Sequence, residues 1–333
     1  MTTHGQDNPP ILEARGLSKY FQVGGGFRPK QLRALHDVSF SLGPRQVAAL
    51  VGESGSGKST IARLLVRLME PSAGRIFFRG GDILQEEPGR ASLGYRAQVQ
   101  MIFQDPFGSL NPVHTVARHL ERPLLLHGKA TGAAELRDHV HELLETVGLN
   151  PGAEIAARYP HQLSGGQRQR VAIARALAPG PSVILADEPI SMLDVSIRAG
   201  VLNLMERLKE ERGISYLYIT HDIASARYFA DRTMVMYAGH IVEGAPSEEL
   251  MHNPAHPYTQ LLLSAVPDPD GSIKSELKAK PGTPKLIDPP PGCPFASRCP
   301  SAMTVCSQQM PDSTPLGPDR WVRCHLFGQG AQR

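Results

Sequence analysis

The feature that most constrains this chain is a glycine-rich stretch from Gly52 to Thr60, with the sequence GESGSGKST. It matches the pattern G-x-x-x-x-G-K-[ST], and it lies between the apolar run Val47–Val51 and a segment with helical spacing that starts at Ile61. Glycines let successive backbone N–H groups turn inward, and the following helix presents its positive end at the same point. The pattern therefore predicts a polyphosphate-binding loop between a strand and a helix.

The residues of this loop have distinct predicted contributions. Lys58 is expected to reach the β and γ phosphates of a nucleotide, and the Ser59 hydroxyl is expected to ligate the Mg²⁺ that bridges them. The other residues expected to contact the nucleotide are Gly52, Ser54, Gly55, Ser56, Gly57 and Thr60. A Gly/Ser-rich turn that contains a lysine by chance is the alternative at this point.

Two adjacent carboxylates follow a second apolar run. Val183–Ala186 is continuous and apolar, as expected for a parallel strand buried on both faces, and Asp187 and Glu188 come directly after it. Because paired carboxylates at such a place are costly unless a cation uses them, Asp187 is predicted to hold Mg²⁺. Glu188 is predicted to polarise an attacking water molecule as general base. A surface acidic pair is the alternative.

Three more segments carry candidate site residues. Gln104 follows the predicted strand Val99–Phe103, where it could contact both Mg²⁺ and water. His221 follows the predicted strand Ile214–Ile219 and could donate to a γ-phosphate, although a lone histidine is more often structural. The sequence LSGGQ at Leu163–Gln167 opens an apolar-periodic helix, so it suits a phosphate, with an ordinary serine N-cap as the alternative.

Two adjacent aromatic residues, Tyr20 and Phe21, lie between the predicted strands Ile11–Leu17 and Leu32–Leu42. One of them could stack on an adenine ring, since an aromatic face binds a base without specific hydrogen bonds. Packing in a core is the more common role of such residues. Strands alternate with helices through residue 237, which predicts an α/β fold around a largely parallel sheet, with ligands at the carboxyl ends of its strands.

Composition excludes some functions and favours others. The formal net charge of +3 is too small to indicate nucleic-acid binding. No apolar run approaches the roughly 20 residues that a membrane span needs, and the N-terminus lacks a signal pattern. We therefore expect the chain to stay in the cytoplasm.

The candidate segments follow one another in a characteristic order. They are the aromatic pair, the phosphate loop (Walker A), Gln104, the LSGGQ signature, the strand that delivers Asp187 and Glu188 (Walker B), and His221. Over residues 11–265 this order resembles that of the ATP-binding subunits of ABC transporters. LSGGQ between the two Walker segments is highly specific to that family.

The resemblance implies an ABC-type P-loop NTPase domain. Its parts would be a RecA-like, mostly parallel sheet, an antiparallel N-terminal β subdomain, and an α-helical signature subdomain at about residues 113–178. In this family an aromatic residue stacks on adenine, and Phe21 fits that position best, with Tyr20 as second choice. Mg²⁺ would be held by Ser59, Gln104 and Asp187, and the activity would be ATP hydrolysis coupled to transport.

The resemblance also implies partners. Two such domains would meet head to tail, so that Ser164 and Gly166, with Gly165 and Gln167 beside them, serve the partner's nucleotide. The expected partners are a second ATP-binding subunit, usually a sister chain, two transmembrane permease subunits and, indirectly, an extracytoplasmic solute-binding protein. The chain is thus expected at the cytoplasmic face of the inner membrane, without a nucleic-acid partner.

The composition changes in the extension, residues 266–333, where prolines exclude long helices. These prolines are Pro267, Pro269, Pro281, Pro284, Pro289, Pro290 and Pro291. The same extension holds all four cysteines, at Cys293, Cys299, Cys306 and Cys324. In a reducing compartment such clustering indicates a metal before disulfides.

The cysteine region and the earlier phrase NPAHPYT at residues 253–259 resemble the oligopeptide and dipeptide importer ATPases. In that subfamily four thiolates hold a [4Fe-4S] cluster, which would be structural or regulatory because hydrolysis needs no redox step. Zn²⁺ is the competing metal, although the gaps of five and six residues are wider than in zinc ribbons. Free or disulfide-bonded cysteines are the third alternative.

Three function classes stay open at this point. The first is an ATPase that powers dipeptide or oligopeptide import, or import of another solute such as nickel or glutathione. The second is an ABC-type ATPase that acts on ribosomes or DNA, but such proteins usually carry two Walker A loops or a long coiled coil before the signature. The third is an iron-sulfur sensor with a vestigial nucleotide site, although the expected catalytic residues are all in place.

Overall fold

The computed structural model of the chain describes residues 9–24, 30–265 and 282–328. Pro267, Pro269 and Pro281, which the sequence marks as helix breakers, lie outside these ranges. The chain divides into two compact units. The signature unit comprises Pro9 and residues 43–46 and 87–217, and the phosphate-loop unit comprises residues 10–42 and 47–86 and the described residues from 218 onward.

The phosphate-loop unit begins with an antiparallel sheet and a helix that follows a buried strand. Its first elements are β1 (Leu12–Val23), β2 (Lys30–Leu42), β3 (Val47–Val51), α1 (Lys58–Leu65), β4 (Ala73–Phe78), β5 (Gly81–Asp82) and α2 (Ile83–Glu86). The antiparallel sheet has the order β2-β1-β4-β5. All five residues of β3 are buried, as the apolar run predicts.

The aromatic pair lies within β1, so the prediction that it sits between two strands is wrong. β1 stays paired with β2 as far as Val23, with Tyr20 opposite Arg33 and Phe21 opposite Leu32. The register shifts between Lys19 and Tyr20, and this shift breaks the alternation by which the sequence would indicate a continuous strand.

The signature unit is mainly helical. Its elements are α3 (Leu93–Gln98), β6 (Val99–Ile102), α4 (Pro106–Ser109), α5 (Val116–Leu126), α6 (Ala133–Thr146), α7 (Gly152–Ala157), the 3-10 helix Pro160–Gln162, α8 (Gly165–Leu177), β7 (Val183–Asp187) and α9 (Val195–Arg212). β6 and β7 are parallel, from Val99 opposite Val183 to Ile102 opposite Ala186. The next strand, β8 (Ser215–Thr220), begins in this unit and ends in the phosphate-loop unit.

The rest of the phosphate-loop unit extends its second sheet. The elements are α10 (Ile223–Phe229), β9 (Arg232–Tyr237), β10 (His240–Pro246), α11 (Ser247–His252), α12 (Pro257–Ser264), α13 (Thr304–Gln308), β11 (Thr314–Gly317) and β12 (Arg320–Val322). Within this unit the strand order is β11-β12-β10-β9-β3. β3 and β9 are parallel, and the other pairs are antiparallel. The extension therefore adds two strands to the sheet that contains β3.

A buried carboxylate fixes the start of α12. Glu243 on β10 is fully buried, and its two carboxylate oxygens accept the backbone N–H groups of Ala255 and His256, at 2.7 and 2.9 Å. Burial raises the pKa of Glu243, while these hydrogen bonds act in the opposite direction. The bonds determine where α12 begins.

Among the described residues, no helix is long and apolar enough to cross a bilayer.

We predict that Glu243→Gln lowers the free energy of unfolding by about 1 to 3 kcal/mol. Glutamine offers one acceptor oxygen to two N–H donors, so one of them loses its partner in a buried site. Urea denaturation of the variant measures this change. Glu70→Gln, which alters an exposed carboxylate of the same unit, is the matched control. Equal stability of the Glu243 variant and the wild-type chain would contradict the proposed anchor.

Candidate active site

The phosphate loop leaves β3 and enters α1 through positions where only glycine fits. A Cβ on Gly52 would lie 2.1 Å from the carbonyl oxygen of Met236 on β9. Gly57 has a φ of 108°, and a Cβ there would lie 2.5 Å from the carbonyl oxygen of Ala34. The loop thus runs against the backbone of two neighbouring strands, which is why its glycines are required.

Lys58 turns back over the loop. Its side chain is buried, and Nζ donates to the carbonyl oxygens of Gly52 at 2.6 Å and Glu53 at 2.9 Å, with Ser56 Oγ at 3.5 Å. No side chain caps α1, and its first turn holds no acidic residue. A lysine at the start of a helix without an acidic cap suits an anion such as phosphate.

The other predicted loop residues differ in exposure. Ser54 and Gly55 are exposed, Ser56 is buried, and Ser59 and Thr60 are half-buried at the start of α1. The structure therefore gathers the predicted loop residues in one turn of the phosphate-loop unit.

A contact that the sequence does not indicate holds this loop from the side. The Glu53 N–H donates to the hydroxyl of Tyr258 at 2.9 Å, and the Glu53 carboxylate accepts from Nη1 of Arg298 at 3.1 and 2.9 Å. The hydrogen bond from Arg298 to Glu53 raises the pKa of the guanidinium above its ordinary value. Tyr258 lies in the NPAHPYT phrase, which suggested a subfamily and gave no role for the tyrosine.

The aromatic pair and His221 belong to the same unit but have different surroundings. The Tyr20 hydroxyl lies 2.7 Å from Nδ1 of His36. Phe21 is half-buried, with the Lys19 ammonium 5.3 Å from its ring centroid. His221 is exposed after β8, and Asp222 next to it caps α10. Both aromatic residues are half-buried.

The signature unit brings together two of the predicted residues. Asp187 ends β7 and is buried, and Glu188 follows it with a φ of 48°. Nε2 of Gln104 donates to the Glu188 carboxylate at 3.0 Å. A positive φ is uncommon at a residue other than glycine.

The LSGGQ segment forms the start of α8. Ser164 is its N-cap: Ser164 Oγ accepts the N–H of Gln167 at 3.2 Å, and the Gln167 side chain accepts the N–H of Ser164 at 3.0 Å. Gly166 is buried, and a Cβ there would lie 2.7 Å from Cγ2 of Ile197 on α9. The two glycines after Ser164 therefore differ in the space around them. A Cβ on Gly165 would meet no atom closer than 3.8 Å.

The four cysteines line one pocket of the phosphate-loop unit, together with His256 and Phe295. No disulfide joins any two of them, and burial raises the pKa of Cys293 to about 12 and that of Cys324 to about 11. A buried thiol with such a pKa stays neutral unless a bound cation stabilises the thiolate. The disulfide alternative does not describe this structure.

A buried histidine faces the same set of thiols. His256 is 1% exposed, burial lowers its pKa to about 4, and its Nδ1 accepts the N–H of Tyr258 at 3.0 Å. The proton of the neutral ring is therefore on Nε2, a buried atom without a hydrogen-bond partner. Four thiols and an unused N–H donor therefore line one pocket. Within the described ranges, no group of three or more His, Cys, Asp or Glu residues is placed to hold one metal ion.

Two family models match the chain. The first is described as ABC transporter and matches residues 35–191. The second is described as Oligopeptide/dipeptide transporter, C-terminal region, and matches residues 242–306. The two matches cover the phosphate loop, the signature segment, the Walker B strand and three of the four cysteines.

Relatives and solved structures agree with these matches. The chain is 46% identical to the oligopeptide transport ATP-binding protein AppF of Bacillus subtilis, over 98% of this chain and 100% of the relative. It is 44% identical to the dipeptide transport ATP-binding proteins DppF of Haemophilus influenzae and Escherichia coli, over 93% and 96% of this chain and 95% of each relative. A dimeric ATP-binding cassette in a post-hydrolysis state, bound to ADP and Pi, superimposes with a TM-score of 0.62 at 29% identity, over 71% of this chain and 99% of the cassette. These neighbours confirm the predicted fold class.

The two signature glycines give a testable difference. We predict that Gly166→Ala destabilises the chain by about 1 to 3 kcal/mol, because the added methyl group overlaps Ile197. Gly165→Ala is the matched control and should be neutral or slightly stabilising, since alanine favours a helix. Urea denaturation measures both. Adding Ile197→Ala to Gly166→Ala should restore part of the lost free energy of unfolding. If both glycine variants lose equal stability, the contact with Ile197 is not the cause.

Proposed function

This chain belongs to the ABC transporter family of ATP-binding proteins and is an ATPase, and from that premise we propose that it powers the import of peptides through a transporter complex. The observation that carries the proposal is the match of both the ATPase region and the oligopeptide/dipeptide C-terminal region in one chain. Relatives named as oligopeptide or dipeptide transport ATP-binding proteins align over nearly the whole chain. Dipeptides or oligopeptides are therefore the proposed solutes.

In the phosphate-loop unit, Lys58 would bind the β and γ phosphates. The backbone of Gly52–Thr60 would surround the phosphates, and Phe21, or Tyr20 in its place, would stack on the adenine. Ser59 is assigned to Mg²⁺, which neutralises phosphate charge when it is bound. His221 would donate to the γ-phosphate. The contacts of Lys58 with loop carbonyls support its role, because they place the ammonium over the turn that would hold the phosphates.

In the signature unit, Glu188 would act as general base toward water. The hydrogen bond that it accepts from Gln104 supports this role, because that donor orients the carboxylate beside a residue that could also contact water. Gln104 and Asp187 are assigned to Mg²⁺. Asp187 suits this role because it is a buried carboxylate at the end of a strand.

The proposed assembly contains two ATP-binding subunits and two membrane permeases. In it, Ser164, Gly165, Gly166 and Gln167 serve the nucleotide of the partner subunit, which we take to be a sister chain. The dimeric state of the solved cassette supports pairing. We place the chain at the cytoplasmic face of the inner membrane, where a solute-binding protein acts on the other side. Closure of the pair would exclude water from the nucleotide.

We assign the four-cysteine pocket to a [4Fe-4S] cluster. The four thiols line one pocket of the phosphate-loop unit, and four thiolates are the usual ligand set of such a cluster. Zn²⁺, which four thiolates also bind, is the alternative that the metal content of the protein tests. Cys293, Cys299, Cys306 and Cys324 would be its ligands, and Nε2 of His256 would donate to a sulfur. The group would stabilise the fold of the extension, since thiolate ligation ties separate turns together.

We predict that Glu188→Gln lowers ATP turnover by roughly 10² to 10⁴ while it preserves ATP binding, because the amide cannot accept a proton from water. The measurement is phosphate release by the reconstituted complex with its permeases. Glu211→Gln, an exposed carboxylate of α9, is the matched control and should keep full activity. Turnover by the Glu188 variant at the wild-type rate would contradict the assigned role.

Uptake by the same complex in vesicles tests the proposed solute. Labelled dipeptides or oligopeptides should accumulate with the wild-type chain and ATP, and should not accumulate with Glu188→Gln. Uptake of nickel or glutathione in place of peptides would overturn peptide import but not ATPase function. Association with ribosomes or DNA instead of permeases would overturn the transport proposal itself.

Anaerobic purification tests the cysteine assignment. The protein should be brown, with about four iron atoms per chain, and Cys306→Ser should lose the colour because one thiolate ligand is missing. Ser301→Ala, which changes a pocket residue that is not a thiol, should stay brown. A colourless wild-type protein with one zinc ion per chain would contradict the assignment.

A further inference from the structure

The extension contacts the phosphate loop at Glu53. Arg298 binds the Glu53 carboxylate, and the Tyr258 hydroxyl accepts the Glu53 N–H. The carbonyl oxygen of the same residue accepts from Nζ of Lys58 at 2.9 Å and from the N–H of Ser56 at 3.2 Å. The side chain and both peptide groups of Glu53 are thus fixed, and its carbonyl is part of the turn that positions Lys58.

Arg298 is itself held in place by aromatic side chains. Its Nη1 donates to the Tyr237 hydroxyl at 3.2 Å, and its guanidinium carbon lies 5.7 Å from the Tyr237 ring and 5.9 Å from the Phe295 ring. Tyr237, Tyr258 and Phe295 are fully or almost fully buried and contact one another, with ring centroids 4.5 to 5.4 Å apart. A guanidinium over aromatic faces has little rotational freedom, so it directs its donor at Glu53.

The same residues also border the cysteine pocket. We define the cysteine segment as Cys293–Cys299. Within it, the N–H of Ala296 donates to the Cys293 carbonyl, and the N–H groups of Arg298 and Cys299 both donate to the Phe295 carbonyl. These turns connect Arg298 to two of the four cysteines through a few backbone hydrogen bonds. Tyr258 is two residues from His256, which lines the pocket.

We propose that Arg298 and Tyr258 are positioning residues of the phosphate loop, and that they link nucleotide affinity to the fold of the cysteine segment. Arg298 acts through the carboxylate of Glu53, and Tyr258 acts through its N–H. Both keep the Glu53 peptide in the orientation that the turn around Lys58 requires. A change in the cysteine segment moves Arg298 and thereby alters the loop. The inference needs only nucleotide binding by this chain, whichever solute the complex imports.

The first test measures the dissociation constant for Mg-ATP with the purified full chain. Arg298→Gln should raise Kd by about tenfold, because it removes a charge-assisted hydrogen bond that orders the loop. In the assembled complex, KM should rise while kcat at saturating ATP stays close to wild type. Arg298→Lys should recover part of the affinity, since one nitrogen of Arg298 makes both contacts with Glu53.

The matched control is Arg320→Gln. Arg320 lies in the same extension, its side chain is also 15% exposed, and it also binds a glutamate, Glu249, at 2.9 Å, as Arg298 binds Glu53. Among the described residues, Arg320 makes no contact with the phosphate loop. This variant should bind Mg-ATP like the wild type, even if its melting temperature falls. An equal rise of Kd in both variants would show that loss of an ion pair in the extension, and not positioning, is the cause.

A double-mutant cycle tests whether Arg298 acts through Glu53. Arg298→Gln combined with Glu53→Gln should weaken binding no more than the stronger single variant does. If the double variant raised Kd by the product of the two single effects, Arg298 would not act through Glu53. Tyr258→Phe keeps the aromatic packing and removes only the hydroxyl, so it should raise Kd without unfolding the chain. Wild-type affinity in this variant would overturn the role of Tyr258.

The link to the cysteines has its own test. Cys299→Ser should change the Kd for Mg-ATP in the wild-type background and should have little effect when Arg298 is already glutamine. The same change in both backgrounds would show that the cysteine segment does not act through Arg298. If Cys299→Ser fails to fold, Ala296→Pro replaces it in this test. That substitution removes the N–H that donates to the Cys293 carbonyl and so alters the same turn.

Discussion

The phosphate-binding loop can pass beside β9 only because Gly52 has no side chain. A methyl group there would lie 2.1 Å from the Met236 carbonyl, so any other residue would push the loop away from the sheet. Gly57 allows the second close approach, and Lys58, the next residue, folds back onto the carbonyl oxygens of Gly52 and Glu53. The position of Lys58, the start of α1 and the contact with the extension all depend on this path of the backbone.

Much of this site could be predicted from sequence because its chemistry is local. The loop pattern, the apolar run before Asp187 and the LSGGQ segment each place their residues within a few positions of one another, so spacing alone predicts which segments belong to the site. The order of these segments along the chain then indicates the family. Gln104 and Glu188 form a hydrogen bond although 84 positions separate them. They follow the carboxyl ends of two parallel strands, and this was the only feature that placed them near each other.

Other features could not be predicted, for two physical reasons. The register shift in β1 interrupts the alternation that marks a strand, so the aromatic pair was wrongly placed between strands. The contact of Arg298 with Glu53 joins residues 245 positions apart, and neither residue is unusual in its local sequence. The described part of the extension also lies in the same compact unit as the loop, and its strands β11 and β12 continue the sheet of that unit. Composition marks where the residue types change, and it does not report the contacts that those residues make.

The most direct test of this account is a crystal structure of the chain with Mg²⁺ and a non-hydrolysable ATP analogue. We expect the β and γ phosphates to lie within hydrogen-bond distance of the backbone N–H groups between Gly55 and Ser59, with Lys58 Nζ moved from the loop carbonyls to the phosphates. A triphosphate bound elsewhere, or a loop that leaves Lys58 on those carbonyls at saturating analogue, would contradict it.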